Sequence, residues 1–165
     1  MQIPNIGPIP HDAHLVIMGA SGCGKTTLGR KVAGKWKREF IEGDDFHFPK
    51  SFEKMKQGIP LTDEDRLPWL DRLVQILDDS NKSVVLACSA LKRSYRDRLR
   101  NAKRRVLFLH LKVSRKILFE RLQNRKEHFF SPSLLDDQLC QLEDLHSDEL
   151  GITVNHQCKP EEWIR

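Results

Sequence analysis

The sequence of 165 residues predicts an α/β fold, a doubly wound parallel sheet with helices on both faces. Three observations carry this reading. Short apolar, β-prone runs alternate with segments of helical spacing or composition. Each run has the length of a buried parallel strand. A glycine-rich stretch joins the first run to the first helical segment.

The elements follow in order. HLVIMG (14–19) is the first strand, and KTTLGRKVAGKW after it has helix-forming composition. EFI (39–41) is the second strand, followed by a short helix over SFEKMKQG. GIPLTDEDRLP (58–68), where Pro60 and Pro68 frame acidic residues, reads as the most loop-like interior stretch, with a helix over PWLDRLVQILDD. SVVLAC (83–88) and VLFLHL (106–111) are strands three and four, each followed by a helix, SYRDRLRN and SRKILFERLQNR. SLLDDQLCQLEDL is expected as one helix whose leucines pack inward, and GITVN (151–155) is the fifth strand.

A hydrophobic content of 39% and a charged content of 31% suit a globular chain, read as one domain over residues 1–165. No internal repeat or linker divides it. No stretch approaches the roughly 18 uninterrupted apolar residues of a membrane helix. MQIPNIGPIPHD lacks a basic start and a long apolar segment, so residues 1–12 read as a loose lead and the expected location is the cytoplasm. The four cysteines show no C-x-x-C pair, which suggests reduced thiols rather than a zinc cluster or a disulfide framework. A net charge of +5 favours anionic partners, a class that includes nucleic acid as well as nucleotides and sugar acids.

The strongest local signal is GASGCGKT, from Gly19 to Thr26, which fits G-x-x-x-x-G-K-[ST] with a strand before it and a helix after it. Gly19, Gly22 and Gly24 let the backbone curl until successive N–H groups point inward at phosphate oxygens, with Ala20, Ser21 and Cys23 between them. The helix beginning near Lys25 adds its positive end. Lys25 is expected to reach the β and γ phosphates of ATP, the Thr26 hydroxyl to join a Mg2+ shell, and Thr27 to serve the α phosphate. Cys23, inside the loop, is either a reactive thiol or a small space-filling side chain.

EGDDFH (42–47) lies just past the second strand, on the rim where the γ phosphate emerges. Asp44 is placed to accept a substrate hydroxyl proton or to align that hydroxyl, and Glu42 to hold magnesium through water. A lone acid after a strand is more readily a helix cap or a solvated turn; three acids and a histidine after a phosphate loop reverse that preference in favour of a site.

GASGCGKTT, EGDDFH, EKMKQGIPLTDEDRLPWL, VVLACSALKRSYRDRLR and RLQNRKEHFF, in this order, resemble the gluconokinase family of P-loop sugar-acid kinases from about residue 15 to about residue 143. The resemblance implies a three-layer P-loop kinase fold with a five-stranded parallel sheet and a mobile lid around 121–132. It also implies phosphorylation of D-gluconate to 6-phosphogluconate by ATP with Mg2+. Asp44 carries over as base or aligner, with His47 and Arg66 as substrate contacts. Lys92 and Arg96, at i and i+4, are expected to share a helix face toward the same rim, with a solvated basic face as the alternative. Arg125 and His128 are assigned to lid contacts, Arg125 among the catalytic groups, and Arg121 to the adenine ring. NHQCKP (155–160) is expected to line the adenine pocket. Analogy with the family suggests a homodimer. Phe48, Ser51 and Glu127 depart from the family pattern around the acceptor pocket and the lid. Two other readings keep the nucleotide site: a shikimate-like or nucleoside-phosphate kinase, and a nucleotide-gated or nucleic-acid-binding module that has lost kinase activity.

Overall fold

A computed structural model describes residues 10–125 and 131–155. The strands are β1 (Ala13–Met18), β2 (Phe40–Glu42), β3 (Val85–Ala87), β4 (Arg105–Lys112) and β5 (Gly151–Asn155). They form one sheet in the order β2-β3-β1-β4-β5, and every neighbouring pair is parallel. The helices are α1 (Lys25–Lys35), α2 (Pro49–Lys56), α3 (Asp63–Asp79), α4 (Arg93–Leu99), α5 (Arg115–Gln123) and α6 (Pro132–Gln141).

Strand alternation sorts the core into two layers. Leu15, Ile17, Val85, Leu109, Leu111 and Val154 meet Leu28 and Val32 of α1, Leu118 and Leu122 of α5, and Leu135 of α6. Val16, Met18, Leu86, Val106 and Phe108 face the other way, against Trp69, Leu70, Leu73 and Leu77 of α3 and Tyr95 and Leu99 of α4. β1, central and covered on both sides, is buried at all six positions. From it the chain first visits β2 and β3 on one side, then crosses to β4 and β5. The carboxyl end of β1 is therefore the switch point where ligands gather, and the glycine loop begins there.

The sequence expectation fails at two helix boundaries. α3 begins at Asp63, inside the stretch expected as loop, and Pro68 lies within it. Thr62 and Asp65 cap this end reciprocally: the Asp65 N–H donates to the Thr62 hydroxyl (3.2 Å) and the Thr62 N–H to the Asp65 carboxylate (2.9 Å). The acidic run Asp63, Glu64, Asp65 then lies at the positive end of the helix dipole. Pro68 gives up only the bond to the carbonyl of Glu64, an exposed residue that water can reach. α6 stops at Gln141 instead of running on through Leu145. Leu142 and Leu145 turn to the opposite core layer, which a continued helix on the first layer could not supply.

Candidate active site

The glycine loop has the backbone its sequence demands. Gly19, Gly22 and Gly24 take φ of 145°, 87° and 102°, a region that a side chain at Cβ disfavours. Gly24 is the N-cap of α1, so the helix starts directly from the loop. Lys25 Nζ donates to the carbonyls of Gly19 (2.9 Å) and Ala20 (3.2 Å) and lies 3.9 Å from Cys23 Sγ. Cys23 is buried in the core layer beside α1, which favours its space-filling role over a reactive one. The outer crest of the loop is held by its neighbours: Arg121 Nη1 donates to the Gly22 carbonyl (3.0 Å), and the Ser21 N–H donates to Gln138 Oε1 (2.9 Å).

Thr26 and Glu42, brought together from α1 and β2, form the next layer of the site. The Thr26 hydroxyl donates to the Glu42 carboxylate, which also accepts from the Asp44 N–H at 3.5 Å. Burial raises the Glu42 carboxyl above its ordinary value, with the charge of Asp44 acting in the same sense against the Thr26 bond and Lys25. A carboxylate short of positive charge beside a loop hydroxyl is the donor set a hard cation takes when phosphates supply its other oxygens. Gly43 then turns the chain off the strand. A Cβ on it would lie 2.5 Å from the Ala87 carbonyl of β3, so only glycine lets β2 end so close to its neighbour. Asp44 follows in a 3-10 turn (Gly43–Phe46), its side chain 65% exposed.

One helix positions the rest. Asp63, Arg66 and Trp69 recur every three residues along α3, from the exposed Asp63 at its first turn to the buried Arg66 and Trp69. The Trp69 indole N–H donates to the Gly43 carbonyl (2.8 Å), and its ring stacks on His47 at 4.1 Å and 20°. His47 is 7% exposed, and its Nε2 lies 3.6 Å from Asp44 Oδ1 while its buried Nδ1 has no partner among the described residues. Arg66 is also buried. Its Nη1 donates to the Leu61 carbonyl (3.0 Å), to Gln141 Oε1 (2.6 Å) and to Tyr95 Oη (3.4 Å). Lys92 Nζ donates to Asp63 (3.0 Å), and the Tyr95 hydroxyl donates to the same carboxylate. These bonds hold the Asp63 carboxyl below the usual range, the one from Tyr95 contributing most.

The expected common face of Lys92 and Arg96 is not formed. Lys92 is the extended N-cap of α4, outside its helical turns. Arg96 is fully buried, and its fork pairs with Glu149 (Nε to Oε1 2.7 Å, Nη2 to Oε2 2.9 Å). Its remaining donors go to the carbonyls of Ala90, Leu91, Glu143 and Asp144. Arg96 is a strut of the fold with nothing left to offer a ligand. The basic run around it is likewise internally paired: Arg98 with Asp71, Arg100 with Asp97, Arg105 with Asp12. Thr27 is exposed on the first turn of α1, and Arg125 is exposed just past α5. Residues 126–130 of the expected lid, with Glu127 and His128 among them, and NHQCKP beyond Asn155 lie outside the described residues. Trp69, Tyr95, Gln138, Gln141 and Glu149 carry no local signal of a role in the sequence, because the partners that give them one are far away in the chain.

Comparison with known proteins agrees with this geometry. Residues 15–145 match the model of an AAA domain family. The chain is 45% identical to a gluconokinase of Gluconobacter oxydans, over 92% of this chain and 89% of that one. It is 44% identical to the thermosensitive gluconokinase of Escherichia coli, over 86% and 79%. Among solved structures, a sugar kinase from a Janibacter species superposes with a TM-score of 0.86 at 45% identity, covering 92% of this chain and 90% of that one. A gluconokinase from Sinorhizobium meliloti gives 0.85 at 41%, covering 93% and 88%. With relatives 41–45% identical over 79–89% of their own length, and with a glycine-rich loop tied to an acidic turn at one rim of the sheet, the chain belongs to the gluconokinase family of P-loop kinases.

Proposed function

We propose that the protein transfers the γ-phosphoryl group of ATP to the terminal hydroxyl of D-gluconate, giving 6-phosphogluconate and ADP. The observation that carries this is the bond from Thr26 to Glu42. It ties the last residue of the glycine loop to the segment bearing Asp44, which supports a reading in which Asp44 works beside the γ phosphate. Thr26 and Glu42 are the residues that would hold Mg2+, Glu42 through water, and the ion supplies neutralisation of phosphate charge. Lys25, now bonded to loop carbonyls, is the cation that turns to the β and γ phosphates.

Asp44 aligns the attacking hydroxyl and takes its proton. His47, held flat on Trp69, offers a second hydroxyl its Nδ1, which has no partner among the described residues. Arg66, through Nε and Nη2, and Lys92 supply positive charge for the carboxylate of the sugar acid. Arg121, at the loop crest, serves the nucleotide side, with Arg125 and His128 closing over the phosphates. We place this activity in the cytoplasm. Among the described residues no helix is long and apolar enough to cross a membrane.

A coupled ADP-release assay across gluconate, other sugar acids, shikimate and nucleoside monophosphates tests the reading. Gluconate should stimulate turnover most, and a panel without gluconate preference sinks the proposal. Asp44→Asn should lower kcat by about 10²-fold or more, the scale of a lost general base, with ATP binding close to wild type.

A further inference from the structure

α6 carries two glutamines whose bonds reach both halves of the site. Gln138 and Gln141 are three apart and so adjoin on the helix surface. Gln138 Oε1 accepts from the Ser21 N–H at the crest of the phosphate loop, 117 residues away in sequence. Gln141 Oε1 accepts from Arg66 Nη1 at 2.6 Å, and its amide nitrogen donates to Asp137 Oδ2 (2.7 Å), which fixes which end of the amide faces the arginine. The helix itself is anchored by Leu134 and Leu135, both buried.

The chemistry of phosphoryl transfer makes such bonds consequential, because positioning and charge neutralisation are almost the whole of the catalysis. The loop can cradle phosphates only while its peptide planes keep their orientation. At its crest the Ser21 N–H points outward to Gln138, and the Gly22 carbonyl is held by Arg121 from α5. Gly22 has no slack on that side, since a Cβ there would lie 3.3 Å from Leu122 Cγ. On the acceptor side, Gln141 takes the shortest of the Nη1 contacts of Arg66 and so sets the plane of its guanidinium.

We propose that α6 is a positioning brace: Gln138 sets the donor loop, Gln141 sets the acceptor arginine, and one rigid helix keeps the two in register. The Gln141 arm rests on the acceptor role proposed above for Arg66; the Gln138 arm needs only the nucleotide site.

Gln138→Met and Gln141→Met remove the amide at nearly constant length and test the two arms. Gln138→Met should weaken ATP binding and raise KM for ATP about fivefold, the scale of one hydrogen bond, with KM for gluconate within about twofold of wild type. Gln141→Met should do the reverse. Destabilisation of the fold would move both constants together or neither, so the crossed pattern marks positioning. Parallel shifts in both constants, or no shift in either arm, overturn the brace. Gln138→Ala and Gln141→Ala repeat the test should a methionine variant melt early. Titration of ATP alone by calorimetry reads the Gln138 arm without any acceptor. A wild-type protein inactive on gluconate therefore defeats the functional reading, whereas an unaltered ATP affinity in Gln138→Met defeats the brace.

Discussion

Trp69 shows how one side chain can set two others. Its indole N–H holds the Gly43 carbonyl at the point where the chain leaves β2, and its face supports the His47 ring. The donor and the stacking surface can be separated, because phenylalanine keeps most of the ring and loses the N–H. Trp69→Phe leaves the carbonyl of buried Gly43 without this partner, a loss of about 1–2 kcal/mol. We expect a melting temperature lower by roughly 3–8 °C for a domain of this size. KM for gluconate should rise several-fold while KM for ATP stays near wild type, because the phosphate loop makes no use of Trp69. Equal effects on both substrates in steady-state kinetics would show that Trp69 supports the core alone. Residues whose placement is local were readable from the sequence. The loop glycines and Lys25 lie between β1 and α1 as their spacing predicts, and Asp44 lies in the turn just after β2. Trp69 was not readable in this way, since its partners lie 22 and 26 positions back and its motif looks like ordinary core.

At the scale of elements, the five strands were legible because each is a short apolar run whose burial follows from its composition. The start of α3 was hidden by Pro68, which argued for a loop more strongly than the Thr62 and Asp65 capping pair argued for a helix. The early end of α6 was hidden because Leu142 and Leu145 continue a leucine pattern while serving the other core layer. The role of α4 was the least legible, because burial of Arg96 depends on Glu149, which is 53 positions further on. That pair joins α4 to the segment leading into β5. Although burial alone would raise its pKa, bonds from Arg96, from the His146 N–H and from Arg100 hold the Glu149 carboxyl far below the usual range. Removing one partner of a buried pair leaves the other charge uncompensated, which costs about 3–5 kcal/mol. Glu149→Gln should therefore lower the melting temperature by roughly 10 °C, and Arg96→Met by a similar amount. Nucleotide affinity of the folded fraction should hardly change. A specific loss of gluconate binding in Arg96→Met, with an unaltered melt, would instead return Arg96 to the acceptor site.

Over the whole molecule, the sheet buries two histidines that must stay neutral. His14 in β1 and His110 in β4 are both fully buried, and burial pushes each down to about 4. Arg104 adds to the effect at His14, whereas Asp144 opposes it at His110. In the unfolded chain both titrate near the ordinary value of about 6.5. Between pH 6.5 and 4 the unfolded state therefore binds protons that the native state refuses, so stability falls as the pH drops through this window and is unaffected above it. Each group accounts for at most about 3 kcal/mol across the full window, and two of them suffice to make the fold acid-labile before most carboxylates titrate. The two sites can be told apart by their hydrogen bonds. His14 Nδ1 accepts from the Val84 N–H at 3.1 Å, so replacing it would orphan a buried amide. His110 has no partner on either ring nitrogen among the described residues, and leucine can take its place with no bond lost. His110→Leu should match or exceed the wild-type melting temperature at pH 7. Its decline between pH 6.5 and 4, followed by circular dichroism in a pH series, should be about half as steep. A decline as steep as that of the wild type would assign the acid sensitivity to His14 and the carboxylates alone.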